Sequence, residues 1–263
     1  MTIIPFFQVD AFAEAPLGGN PAAVMPLDAW LPDATMQAIA AENNLAETAF
    51  TVRSERGDAD YDLRWFTPTV EVDLCGHATL ASAHVLIDGD AIAFSTRSGI
   101  LTVTHGEGDL LRLDLPAFAV EPGTEPGLLD ALGLPDDTPT FLSRGGNGAA
   151  IALLPDEAAV RAVAPDFRAL RTIDRLVIVT ALGDSTDIAS RVFAAYHGID
   201  EDPVTGSAHA ALVPFWADRL ARTRLTALQA SKRGGHLECE LANDRVILGG
   251  RCVTVIEGQF HFS

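Results

Sequence analysis

The sequence is poor in cysteine. Its three cysteines, Cys75, Cys239 and Cys252, are far apart in a chain of 263 residues. An odd number of widely spaced cysteines argues against a disulfide framework and favours a reducing compartment. We therefore expect a cytoplasmic protein.

A long hydrophobic run is also missing near the start of the chain. The opening residues MTIIPFFQVDAF are apolar, but Asp10 interrupts them well before the roughly 18 apolar residues of a membrane helix. They also lack the basic segment with which a secretory signal begins. This stretch is predicted to be a first β-strand, and no membrane partner is expected.

Positive charge is scarce. The chain has 18 lysines and arginines against 36 aspartates and glutamates, which gives a formal net charge of −18. Such a negative field repels nucleic-acid backbones, so no nucleic-acid partner is expected; salt adaptation is an alternative explanation of the acidic composition. An anionic substrate would need a local cationic group or a helix end to overcome this field.

The sequence does contain an internal repeat. The segment GGNPAAV at 18–24 recurs as GGNGAAI at 145–151, and the segment CGHATLA at 75–81 has a counterpart, TGSAHAA, at 205–211. A chain of this length also exceeds the roughly 250 residues of a usual single core. We infer two similar domains related by a pseudo-two-fold axis, residues 1–117 and residues 118–263. An alternative assignment places the final strand in the first half.

Helices are predicted where small and apolar residues recur at helical spacing. Residues 77–87 and 207–220 are rich in alanine and poor in charge, so both helices are expected to be buried nearly all round. Residues 36–44 predict a shorter, amphipathic helix. Alternating or β-branched runs predict antiparallel strands at 47–53, 60–66, 101–104, 110–115, 176–180, 237–241 and 253–256. The pattern indicates an α+β fold with one buried helix in each half.

The two repeated helix starts are candidate anion sites. At Cys75-Gly76 and at Thr205-Gly206, small residues would leave free backbone N–H groups and the positive end of the helix dipole accessible. If the halves face each other, both helix starts would meet at an interdomain cleft. The alternative is that Thr79 and Ser207 merely cap the helices.

Three residues are candidates for acid–base catalysis. Glu47 lies between an amphipathic helix and an apolar strand, His77 lies at the head of a buried helix, and Asp202 precedes the second helix start. Carboxyl and imidazole groups shielded from water are suited to proton transfer. The alternatives are an exposed loop glutamate, a capping or core histidine, and an aspartate that serves only the helix dipole.

A glycine-ended loop contains one further candidate for substrate binding, and several well-known cofactor and metal motifs are missing. Arg233, in QASKRGG at 229–235, is a candidate clamp for a substrate carboxylate, or else an exposed loop charge. The chain has no HExxH motif and no close Cys/His cluster, and GGNG lacks the residues of a dinucleotide or phosphate loop. We expect neither a metal nor a cofactor. Cys75 alone at a helix start is a candidate activated thiolate.

Taken together, the motifs resemble the PhzF-like family of phenazine biosynthesis over almost the whole chain. The segments that carry the resemblance are VDAF (9–12), GNPAAV (19–24), ETAF (47–50), WFTP (65–68), CGHAT (75–79), EDPVTGSAH (201–209) and SKRGG (231–235). The resemblance implies a diaminopimelate-epimerase-like fold with two pseudo-symmetric domains, each a barrel-like antiparallel sheet around a central helix. It also implies a homodimer.

By the same resemblance, Glu47 matches the catalytic glutamate of the family, and His77, Asp202 and Ser207 match its other active-site positions. The implied function is a cofactor-independent isomerase that moves a proton within a small anionic, carboxylate-bearing metabolite. To substrate binding we assign Asn20, Cys75, Gly76, Gly206, Ser207, Ser231 and Arg233. The alternatives are a racemase or epimerase using Cys75, although Thr205 replaces its second cysteine, and a non-catalytic binding protein.

Overall fold

The structure is a computed structural model that describes residues 2–145 and 148–262. The chain divides into two compact units, one formed by Met1–Asp114 with Gly249–Ser263 and the other by Leu115–Leu248. The boundary therefore falls between residues 114 and 115 rather than between 117 and 118, and the last strand returns to the first unit.

The described residues of the first unit form two helices and nine strands. Its helices are α1 (Asp33–Asn43) and α2 (Gly76–Leu86). Its strands are β1 (Thr2–Ala11), β2 (Asn20–Leu27), β3 (Glu47–Arg53), β4 (Tyr61–Phe66), β5 (Glu71–Val72), β6 (Ala91–Thr96), β7 (Gly99–His105), β8 (Leu111–Pro116) and β18 (Cys252–Phe262). The long strand β1 pairs antiparallel with both β2 and β18, which ties the end of the chain to its beginning.

The described residues of the second unit form one long α-helix, three short ones and a single 3-10 turn at Ala195–His197. Its helices are α3 (Leu128–Leu132), α4 (Glu157–Ala162), α5 (Phe167–Leu170) and α6 (Gly206–Leu220). Its strands are β9 (Val120–Pro122), β10 (Thr140–Ser143), β11 (Ala149–Leu153), β12 (Leu176–Leu182), β13 (Ile188–Ala194), β14 (Ile199–Asp202), β15 (Arg224–Gln229), β16 (Gly235–Ala242) and β17 (Arg245–Gly250). The residues Gly146 and Asn147, in the middle of the second GGN repeat, lie outside the described residues.

The two units repeat the same strand pairings. In the first, β2 and β3 are parallel, β3 and β4 antiparallel, and β4 and β6 parallel. In the second, β11 and β12 are parallel, β12 and β13 antiparallel, and β13 and β15 parallel. Most of the described strand pairs are antiparallel, as predicted, and these parallel pairs make the sheets mixed. Each parallel pair has at least one helix in its connection, and parallel neighbours require such a crossover.

The helices predicted from alanine-rich segments are the buried ones. The first eight residues of α2 are all buried, and α6 buries ten of its residues, as expected for helices with apolar or small residues on every side. The short helices α4 and α5 went unpredicted, although the side chains of Asp156 and Asp166 accept hydrogen bonds at their starts as capping residues do. Among the described residues, none of the helices is long and apolar enough to cross a bilayer.

Candidate active site

The first unit holds a buried carboxyl–imidazole pair. Glu47 is the first residue of β3, and His77 is the second residue of α2. Nε2 of His77 lies 2.9 Å from Oε2 of Glu47, and the two side chains are only 4% and 11% exposed, respectively. The alternative of a glutamate in an exposed loop is therefore wrong. The two residues instead form a close ion-pair contact shielded from water, although Oε2 of Glu47 makes no hydrogen bond of good geometry among the described residues.

Asn20 contacts the other side of the same imidazole. Its amide nitrogen Nδ2 lies 3.1 Å from Nδ1 of His77, and the residue is fully buried at the start of β2. The preceding residue, Gly19, has a φ of +59°, and a Cβ atom there would lie 2.2 Å from the carbonyl oxygen of Ala11. Only glycine permits this approach of the chain, so Gly19 fixes where Asn20 begins its strand.

Cys75, immediately before α2, completes the cluster. Its Sγ lies 3.5 Å from Nδ1 and 4.0 Å from Nε2 of His77. Burial, reinforced by the negative charge of Glu47, raises the pKa of the Cys75 thiol to about 11. The thiol is therefore neutral at pH 7, which disfavours the alternative of an activated thiolate at Cys75. The physical reason is that desolvation opposes the charged form more than the helix start favours it.

The protonation of His77 depends on Glu47. Burial alone would lower the pKa of His77, but the sulfur of Cys75 and the carboxylate of Glu47 hold it well above its ordinary value. In a neutral ring Nδ1 accepts from the amide of Asn20, and Nε2 carries the proton beside Glu47. A charged ring donates from both nitrogens, and Asn20 must then turn its amide oxygen toward Nδ1.

The two buried helices α2 and α6 begin without a side-chain cap. At α2 the preceding residue is Cys75 and at α6 it is Thr205, and neither makes a capping hydrogen bond. Thr79 instead donates its hydroxyl proton to the carbonyl oxygen of Cys75 at 2.6 Å. The prediction that Thr79 and Ser207 cap these helices was an alternative, and it is wrong. The first N–H groups of each helix keep their positive potential.

In the second unit, Asp202 belongs to a separate buried network. The hydroxyl of Thr205 donates to Oδ2 of Asp202 at 2.5 Å. Gln229, at the end of β15, donates from Nε2 to the carbonyl oxygen of Asp202 at 2.7 Å and to the Thr205 hydroxyl at 3.2 Å. Its Oε1 accepts from the backbone N–H of Thr205 at 2.9 Å. One fully buried amide therefore holds both ends of the segment that leads into α6.

The remaining predicted binding residues lie near this segment or in the loop that follows β15. Gly206 is buried as the first residue of α6, and Ser207 is partly exposed. Ser231 donates its hydroxyl proton to the carbonyl oxygen of Pro203 at 2.9 Å, so it supports the segment before α6. Arg233 is partly buried. Whether Arg233 clamps a carboxylate or is a loop charge stays a prediction.

Sequence reasoning missed Gln229 as a functional position. The signal was an amide that ends an otherwise mostly apolar strand, RLTALQ, because a buried amide must find hydrogen-bond partners. The close approach of Glu47 to Cys75 and His77 was also not predicted. One potential ligand atom from each of these three residues lies within 4.8 Å of the others. The spacing of residues within one element cannot predict this contact, because it joins two separate elements, β3 and the start of α2.

The fold and the buried pair define a sheet-rich α+β protein of the diaminopimelate-epimerase-like class. A family model described as phenazine biosynthesis-like protein matches residues 9–258. The chain belongs to this phenazine biosynthesis-like family. The resemblance inferred from the motifs is thereby confirmed.

Individual relatives agree with this placement. A Pseudomonas aeruginosa protein named an uncharacterized isomerase is 51% identical over 99% of both chains. The crystal structure of a PhzF-family protein from Enterococcus faecalis is 45% identical, with a TM-score of 0.90, over 99% of this chain and 100% of that one. A hydroxyproline epimerase from Agrobacterium vitis is 12% identical, with a TM-score of 0.63, and covers 98% of this chain and 92% of its own. This last likeness concerns the fold alone.

Proposed function

We propose that this protein is an isomerase that moves a proton within a small carboxylate-bearing metabolite by acid–base catalysis and without a cofactor. The observation that carries the proposal is the buried contact of 2.9 Å between Glu47 and His77. The name of the Pseudomonas aeruginosa relative, an isomerase, supports the reaction class.

In the proposed reaction Glu47 removes a proton from one carbon of the substrate and returns it to another. A single carboxyl group can act first as base and then as acid when it is held within reach of both carbons. His77 orients the carboxylate through Nε2, and Asn20 holds the ring through Nδ1. The exclusion of water strengthens these electrostatic interactions, so the geometry favours proton transfer at Glu47.

The proposed binding of an anion relies on the uncapped start of α2. Cys75 and Gly76 bring the positive end of this helix beside Glu47 and His77, and backbone N–H groups at a helix start bind carboxylates. The same property is found within the second unit at Gly206 and Ser207, where α6 also begins uncapped. We assign these helix starts, with Asn20, Ser231 and Arg233, to substrate binding, and Asp202 to catalysis.

A two-base racemase using Cys75 is less well supported. That chemistry needs a second base, and the residue at the matching repeat position is Thr205. Its hydroxyl proton is directed to Asp202, and the same oxygen accepts from Gln229. A threonine hydroxyl held in this way is a poor base at neutral pH.

The test is proton exchange by the wild-type protein. Small carboxylates that bind in a metabolite screen would be incubated with chelator-treated protein in D₂O, and products would be followed by NMR and mass spectrometry. We expect an isomer to form, and it should carry solvent deuterium at the carbon that received the proton to the extent that the Glu47 proton exchanges with solvent between removal and return. Tight binding without isomerisation or exchange for every ligand would instead favour a non-catalytic binding protein.

A further inference from the structure

We propose that Glu47, Cys75 and His77 form a binding site for a thiophilic divalent cation such as Zn²⁺. Such an ion would act as an inhibitor of the protein and not as its cofactor. The three side chains offer a carboxylate oxygen, a sulfur and a ring nitrogen within 4.8 Å of one another. All three residues are more than 90% buried.

The distances fit a tetrahedral ion after small side-chain rotations. Nε2 of His77 lies 2.9 Å from Oε2 of Glu47 and 4.0 Å from Sγ of Cys75. Across a tetrahedral Zn²⁺ the corresponding nitrogen–oxygen and nitrogen–sulfur distances are about 3.3 Å and about 3.6 Å. These two pairs each need a change of roughly 0.4 Å. The carboxylate–sulfur pair, which lies within 4.8 Å, must close to about 3.6 Å, and χ1 and χ2 rotations can supply these changes. Three protein ligands leave the fourth position for water or a ligand atom.

The donor set also selects the kind of ion. One sulfur, one imidazole nitrogen and one carboxylate oxygen suit Zn²⁺ and Co²⁺, whereas Mg²⁺ and Ca²⁺ prefer oxygen ligands alone. A histidine that binds a metal through one nitrogen usually donates the other N–H to a neighbouring oxygen. Asn20 lies 3.1 Å from Nδ1, and turning its amide presents Oδ1 to that proton.

Such an ion would occupy the lone pairs that proton transfer requires. Glu47 could no longer accept a substrate proton, and His77 could no longer donate to Glu47. Only this inhibition depends on the proposed function. Binding is measured without any substrate, so failure to bind an ion would leave the proposed isomerase untouched, and failure of the isomerase would leave the metal site untouched.

The experiment is a titration of the full-length, chelator-treated protein with Co²⁺, followed by absorption. The Cys75 thiol releases its proton to the buffer when Co²⁺ binds. The resulting Co²⁺–thiolate bond gives a sulfur-to-metal charge-transfer band in the near ultraviolet. We expect one Co²⁺ for each chain, a band that Zn²⁺ abolishes and an excess of Mg²⁺ does not, and complete loss of the band in Cys75→Ser. The matched control is Cys252→Ser, which removes a thiol from the same unit and should retain the band.

A second variant tests the site if Cys75→Ser does not fold. Glu47→Gln keeps the shape of the side chain but removes its charge, so we expect the affinity for Co²⁺ to fall by at least about tenfold. Absence of the band in the wild-type protein with a large excess of Co²⁺ would overturn the proposal. So would a band that survives Cys75→Ser, or unchanged Co²⁺ affinity in Glu47→Gln.

Discussion

Nε2 of His77 lies 2.9 Å from Oε2 of Glu47, inside the first unit and almost entirely shielded from water. The other nitrogen of the same ring contacts Asn20 at 3.1 Å. One imidazole thus joins the first residues of β2 and β3 to the start of α2. The orientation of the Glu47 carboxylate is therefore set by three elements rather than by a mobile loop.

The first prediction concerns the thiol. Because Cys75 is neutral at pH 7 and Thr205 is not a base, replacing the sulfur should not remove the group that transfers the proton. We expect Cys75→Ser to lower turnover by less than the roughly 10²-fold that marks loss of a positioned acid–base group, as measured by solvent-deuterium incorporation. A folded Cys75→Ser protein with no detectable exchange would restore the thiol mechanism.

The second prediction concerns the amide that holds the segment before α6. Gln229→Met preserves length and volume but leaves the N–H of Thr205 and the carbonyl of Asp202 buried without this partner. We expect the free energy of unfolding to fall by about 2–4 kcal/mol, measured by urea denaturation. Gln259→Met, at an exposed position of β18, is the matched control. This substitution should change the free energy of unfolding by less than about 0.5 kcal/mol. Equal effects in both variants would contradict this account of Gln229.

The third prediction concerns the pH dependence of stability. His209 is fully buried and donates from Nδ1 to the carbonyl oxygen of Thr205 at 2.9 Å, while its Nε2 has no hydrogen-bond partner among the described residues. Burial lowers the pKa of His209 from 6.5 to about 4. Between pH 6.5 and pH 4 the unfolded chain therefore binds a proton that the folded chain does not, and stability falls as the pH falls.

A variant isolates this contribution. In His209→Asn the amide can still donate to Thr205, but nothing titrates at that position. On lowering the pH from 7 to 4, the wild-type protein should lose about 3 kcal/mol more of its unfolding free energy than the variant does. Urea denaturation at several pH values measures the unfolding free energy of the wild-type protein and of the variant. Parallel pH profiles for the two proteins would show that His209 is not held neutral in the fold.

The sequence predicted best those features that arise from local patterns. Strand β3 was predicted with the bounds it has, Glu47–Arg53, and α2 and α6 begin one residue before their predicted starts. Alternation along β3 and small residues along α2 and α6 are local properties of the chain, and the burial of these elements follows from them. The resemblance to the family rested on the same short motifs.

Features that depend on distant contacts escaped prediction. The parallel pairing of β2 with β3 follows from the crossover through α1, and alternation within one strand says nothing about the direction of its neighbour. The hydrogen bonds of Gln229 and the contact of Asn20 with His77 join residues far apart in the chain. Desolvation of Cys75 likewise depends on what packs around it, so its neutral state was not evident from the motif.

Glu47→Gln tests the central claim, that Glu47 carries the proton, most directly. The variant keeps an oxygen that can accept from His77 but cannot take up and return a proton. Binding of the carboxylate ligand should change little, while turnover and solvent-deuterium incorporation should fall by roughly 10² to 10⁴-fold. Glu42→Gln, an exposed position at the end of α1, is the control and should retain wild-type turnover. Near-wild-type exchange by a folded Glu47→Gln protein would contradict the account and transfer the role to His77 or Asp202.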